Sequence, residues 1–139
     1  MIRRTAENCG QNTNMNDLPK SMTIKRTVET SGLACTMKSG SLKVLATPQM
    51  IAWMEEAACL CLDLPEDQTS VGVLMSVTHD AASPLGAEIM IKAELTEQEK
   101  RVLSFEVSAW MNDVCIGKGL HKRVIVNTEK FLSRIYPES

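Results

Sequence analysis

Apolar residues along this chain follow two different periods, and the change of period marks the elements. From Thr69 to His79 (TSVGVLMSVTH) alternate positions put Val71, Val73, Met75, Val77 and His79 on one face of a strand. Ala87 to Leu95 (AEIMIKAEL) does the same with Ala87, Ile89, Ile91, Ala93 and Leu95, against Glu88, Met90, Lys92 and Glu94 on the other face. Leu103 to Met111 (LSFEVSAWM) continues it with Leu103, Phe105, Val107, Ala109 and Met111. Turn residues at Ser83-Pro84-Leu85-Gly86, Glu97 to Lys100 and Asn112-Asp113 separate these runs from one another and from a last strand, Val114 to Val126. A weaker alternation around Met22, Ile24 and Val28 predicts a first strand within Ser21 to Thr30, and Ser39-Gly40-Ser41 breaks the chain before the apolar run LKVLA.

One long helix is expected in Leu45 to Leu64 (LATPQMIAWMEEAACLCLDL). Thr47 can cap it with its hydroxyl, and Pro48 at its start has no N–H to leave unpaired. Its end is expected near Asp63 to Pro65, because the residue before a proline is disfavoured in helical geometry. A short helix from about Thr128 to Ile135, capped by Asn127, closes the chain. The order of strand, long helix and a meander of four strands predicts an α+β domain, an antiparallel sheet wrapped on one helix. Because the helix is apolar over more than one face, a dimer is expected.

Two adjacent glutamates interrupt that helix. At about 100° per residue, Gln49, Glu56 and Asp63 stack into one polar stripe, while Met50, Ile51, Met54, Ala58, Cys61 and Leu62 form the apolar face. Glu55 falls about 100° from Glu56, among Ile51, Ala52, Ala58, Cys59 and Leu62, with no cation one turn away. Either it lifts its carboxylate to solvent at the rim of the apolar face, or it points into a partly dry cleft where desolvation suits it to act as base or nucleophile.

Length and composition narrow the classes. A chain of 139 residues suits one domain, with the polar, Asn-rich residues 1–20 as a flexible arm and residues 21–139 as the folded unit. The net charge of -2 carries no polyanion footprint, so nucleic acid is not an expected partner. No apolar run approaches the roughly 18 residues of a membrane span. Five cysteines, an odd number, and an N-terminus without an apolar leader point to a cytoplasmic protein with reduced thiols. Cys59-Leu60-Cys61 lacks a two-residue spacer, and His79 and His121 lie 42 residues apart without ligand spacing, so no metal site is expected.

Several of these residues admit two readings. Thr47 is a helix cap, yet capping is compatible with function, since a helix N-terminus offers free N–H groups to a developing oxyanion. His79 is either a packed, hydrogen-bonded side chain or a catalyst. Gly117, Gly119, His121 and Arg123 alternate onto one face of the last strand, where the glycines either admit a ligand or allow close packing.

Three segments, GSLKVLATPQMIAWMEEAA, TSVGVLMSVTHDAASPLGAEI and IGKGLHKRVIV, together resemble the hot-dog thioesterases of the fluoroacetyl-CoA thioesterase type. The likeness runs from about Thr27 to Phe131 and rests on a Thr eight residues before a helical Glu, a Gly seven before a His, and a late Gly-x-Gly-x-His-x-Arg. It implies a hot-dog fold, acyl-CoA sites at a dimer interface, and hydrolysis of an acyl-CoA thioester, with CoA part of the substrate and no other cofactor. It also implies that Thr47, Glu55 and His79 are catalytic, that Gly72 lies near the thioester carbonyl, and that Gly119, His121 or Arg123 meets the acyl group or a CoA phosphate. The fluoroacetyl enzymes of that family close the acyl pocket with aromatic residues before the catalytic helix. Thr30 to Leu45 contains none here, so fluoroacetyl-CoA is not the expected substrate.

Geometry adds one constraint. Eight residues of helix separate Thr47 from Glu55 by roughly 12 Å along the axis, too far for both to touch one thioester carbon. A composite site from two protomers follows, in a homodimer or a tetramer built from dimers. The competing expectations are a hot-dog hydratase and a non-catalytic acyl-CoA or acyl-carrier binding module.

Overall fold

The computed structural model describes residues 20–137. The expected arm thus lies outside the described residues, except for Lys20, which opens the first strand, β1 (Lys20–Thr27). There follow a 3-10 turn (Thr30–Gly32), a four-residue helix α1 (Ala34–Met37) and the long helix α2 (Thr47–Leu60). Strands β2 (Gln68–His79), β3 (Glu88–Glu99), β4 (Val102–Met111) and β5 (Val114–Asn127) precede a final helix, α3 (Thr128–Ile135). Among the described residues no helix is long and apolar enough to cross a membrane.

Helix α2 lies along the inner face of the sheet because its buried side chains, Met50, Met54, Ala57 and Ala58, recur at helical spacing. They pack on Ile89, Ile91, Ala93 and Leu95 of β3 and on Leu103, Phe105, Val107 and Ala109 of β4, as the alternation of those strands predicts. Met54 is fully buried, and truncating such a side chain to Ala costs about 2–5 kcal/mol. The helix ends earlier than Asp63. Its last bonds tighten, with Cys61 N–H on the Ala58 carbonyl at 3.1 Å and Leu62 N–H on Cys59 at 3.1 Å, so Leu62 and Asp63 leave the helix. Burial pushes the Cys61 thiol up to about 12 despite the nearby Lys20 charge, which leaves it an inert core side chain.

The four-strand meander requires correction. The sheet is antiparallel in the order β1-β3-β4-β5-β2, so the meander has three strands, and β2 crosses to the far edge to pair with β5. Residues 80–87 join β2 to β3. They are too many for a tight hairpin, and they pass the start of α2, where the Leu45 N–H donates to the Ser83 carbonyl at 2.9 Å. Of the two tight links, Asn112-Asp113 is as expected, whereas the first is Lys100-Arg101 rather than Glu97 to Lys100, because Glu97 to Glu99 continue β3. Lys100 (φ 58°) and Asn112 (φ 58°) take the left-handed conformation that a two-residue hairpin demands.

Within β2 the expected alternation also fails. The register of β2 against β5 shifts between Gly72 and Leu74, so Val73 is an extra residue and stands 57% exposed. Beyond the bulge Met75, Val77 and His79 oppose His121, Gly119 and Gly117, as the alternation requires. Before it the parity reverses, and Gly72 rather than Val71 opposes buried Arg123. One inserted residue therefore brings Gly72 under the helix.

Candidate active site

Two groups of the candidate residues meet along α2. The first is at its N-terminus. Thr47 is the first helical residue rather than the cap; Ala46 holds that position with extended backbone and no side-chain bond. The Thr47 hydroxyl is instead 2.6 Å from Nδ1 of His79, which the end of β2 delivers over the start of the helix. His79 is half-buried, and its Nε2 is shut off from solvent without a hydrogen-bond partner. Burial lowers the His79 pKa below its ordinary 6.5, with the Asp80 charge opposing, so the ring is neutral near neutral pH. A neutral imidazole on a hydroxyl at this distance can move a proton between the two. Beside the pair opens a cleft of about 350 Å³ lined by Ala34, Ser39, Leu42, Val44, Ala81 and Ala82 among others, none of them aromatic.

The second group surrounds Glu55, two helical turns on. Its cation comes from the sheet: Arg123 of β5, 7% exposed, donates from Nη1 to Glu55 Oε2 at 3.4 Å. Nε and Nη2 of Arg123 donate to the hydroxyl (2.8 Å) and the carbonyl (3.0 Å) of Ser70. His121 fixes the remaining side. Its Nδ1 lies 2.8 Å from the Leu74 carbonyl, which only accepts, so Nδ1 carries the proton and Nε2 accepts from Arg123 Nη1 at 3.2 Å. Burial lowers the His121 pKa; the Leu74 carbonyl opposes this, the Arg123 charge reinforces it, and Glu55 opposes it. Gly72 completes the group, because a Cβ there would lie 2.6 Å from Glu55 Oε2. The carboxylate rests against the glycine backbone.

The structure thus brings Thr47 to His79, and Glu55 to Gly72, His121 and Arg123, and keeps the two sets at separate points on the helix. The dry pocket considered for Glu55 is absent from the single chain, since its side chain is 43% exposed. Glu56 differs as expected from its stripe: it is exposed and takes a two-point ion pair from Arg26, with Nε on Oε1 at 3.2 Å. Gly119 stands apart from both sets. A Cβ there would lie 2.6 Å from Val77 Cα, and one at Gly117 would lie 2.8 Å from Met50 Sδ, so close packing accounts for both glycines. Ser70 and the Leu74 carbonyl were missed by sequence reasoning. The bulge that aims them is a one-residue event hidden in an apolar run.

The family described as FlK, fluoroacetyl-CoA-specific thioesterase, matches residues 28–129, which span every residue of both sets. The chain belongs to this family. It is 37% identical over 95 residues to the fluoroacetyl-CoA thioesterase of Streptantibioticus cattleyicolor, covering 67% of this chain and 68% of that protein. A solved fluoroacetyl-CoA thioesterase structure superposes with a TM-score of 0.81 at 29% identity over 87% of this chain and 96% of that one. A hot-dog-like protein from Thermanaerovibrio acidaminovorans reaches a TM-score of 0.78 at 22% identity, over 86% of this chain and 90% of that one. The sheet wrapped on α2 is accordingly the hot-dog fold of this thioesterase family.

Proposed function

We propose that this chain hydrolyses a small acyl-CoA thioester to the acid and free CoA, at sites that two copies share. The observation carrying this reading is the split of the family's residues into two half-sites on one rigid helix. Thr47 and Glu55 lie roughly 12 Å apart along its axis, whereas one thioester carbon accommodates groups only about 3 Å away. A second copy supplies the missing half. The edge strand β2 offers the surface for it, with Val73 and Leu74 57% and 45% exposed beside an unpaired edge.

In that composite site the Thr47 oxygen attacks the thioester carbonyl while His79 Nδ1 accepts its proton. The C–S bond breaks, the imidazolium returns the proton to the departing CoA thiolate, and the acyl group rests on Thr47. Glu55 of the other copy then takes a proton from water as the water oxygen adds to that ester. That proton passes to the Thr47 oxygen as its C–O bond breaks, releasing the acid and restoring both the Thr47 hydroxyl and the Glu55 carboxylate. The Gly72 N–H, in extended backbone beside Glu55, stabilises the oxyanion of both steps. CoA enters as substrate, no cofactor is called for, and the odd number of cysteines fits a reducing compartment such as the cytoplasm. The cleft beside Thr47, without an aromatic lid, suits a small acyl group other than fluoroacetyl.

A panel of acyl-CoA esters tests this, with released CoA measured chromatographically because exposed cysteines of the chain, Cys59 among them, react with thiol reagents. Turnover of short-chain esters that Glu55→Gln and His79→Ala abolish supports it. Saturable ester binding without CoA release would leave a binding module instead.

A further inference from the structure

Ser70 is not among the residues expected at the site, yet it makes two of the contacts that hold Arg123. We propose that Ser70 is a positioning residue for hydrolysis, fixing the plane of the Arg123 guanidinium so that its Nη1 edge orients Glu55; this rests on the reading of Glu55 as the group that activates water.

A guanidinium turns about its Cδ–Nε bond, and one bond at Nη1 leaves that rotation free. Ser70 grips the opposite edge at two points, with its hydroxyl on Nε at 2.8 Å and its carbonyl on Nη2 at 3.0 Å. The grip aims Nη1 at both His121 Nε2 (3.2 Å) and Glu55 Oε2 (3.4 Å). His121 cannot yield, because Leu74 holds its Nδ1 proton and its Nε2 is left as an acceptor. Glu55 is the one half-exposed member, with 43% of its side chain accessible, and so the one whose position depends on the others. Four donor contacts on protein groups, in a side chain 8% exposed, leave Arg123 little to offer a CoA phosphate. Its function is internal: it carries the order of the sheet to the carboxylate.

The test compares Ser70→Ala, Ser70→Thr and Arg123→Lys, singly and combined, with thermal melts confirming that each folds. Ser70→Ala should lower kcat about tenfold with KM within about twofold, less than the roughly hundredfold that a 1 Å displacement of a reacting group can impose. Ser70→Thr keeps the hydroxyl and should restore most of the rate. Lysine has no Nε–H for Ser70 to hold, so adding Ser70→Ala to Arg123→Lys should change nothing further. Losses that multiply in the double variant, equal losses in the Ala and Thr variants, or a raised KM with unchanged kcat would each overturn the proposal. Full activity in Glu55→Gln would instead overturn the site reading on which it rests.

Discussion

The two half-sites on α2 are built to different standards of order. At the helix start, Thr47 is exposed and meets His79 through one hydrogen bond, and the far nitrogen of His79 has no partner. Two turns on, Glu55 is the outer member of a set in which Arg123, His121, Ser70 and the Leu74 carbonyl hold one another. A nucleophile that must attack and then be released gains from few tethers. A carboxylate that must direct a water gains from many. In the proposed shared site a second copy would bring the rich half-site to the sparse one, which lacks what it holds.

The largest effects should come from removing the groups proposed to react. Glu55→Gln and His79→Ala should each lower kcat by about 10²- to 10⁴-fold with the fold intact, measured as CoA release under saturating ester. Thr47→Val should join them while Thr47→Ser retains activity; equal loss in both would remove the hydroxyl from the reaction. Gly72→Ala comes next. Its methyl would lie 2.6 Å from Glu55 Oε2, so the carboxylate must shift, and activity should fall about a hundredfold while the melting temperature moves little.

A smaller effect concerns pH. His79 and His121 both titrate below their ordinary 6.5 in the folded protein. As pH falls through 6.5 the unfolded chain binds protons that the folded chain refuses, so stability is full above 6.5 and declines below it. Urea midpoints measured from pH 7.5 to 5.5 should fall, and flat midpoints would contradict the buried neutral state. The smallest change is expected at Arg26→Ala. Its pairing with Glu56 is partly exposed, so stability should change by no more than about 1 kcal/mol and turnover not at all.

Much of this was legible because strands β3 and β4 bury one clean face, and a period of two admits only one inward set. Glu55 stood out because a wheel of α2 leaves it among apolar neighbours. The rest depended on events without a periodic signature. The Val73 bulge reverses parity in one residue, and the crossover of β2 follows from the length and packing of residues 80–87 rather than from any strand's own pattern. The cation for Glu55 was invisible along the helix because it arrives from β5, 68 residues away in sequence. Thr47 shows the reverse: the helix starts one residue earlier than the cap reading requires, so Ala46 is the cap and the Thr47 hydroxyl goes to His79.

The shared site is tested most directly by mixing two inactive subunits. Thr47→Ala and Glu55→Gln chains carrying different affinity tags are co-expressed, and the doubly tagged species is purified and assayed for CoA release. Each heterodimer then holds one site with both groups intact and one with neither, so about half the wild-type turnover per dimer should return. Heterodimers as inactive as either parent, or a wild-type enzyme that turns over as a monomer, would contradict it.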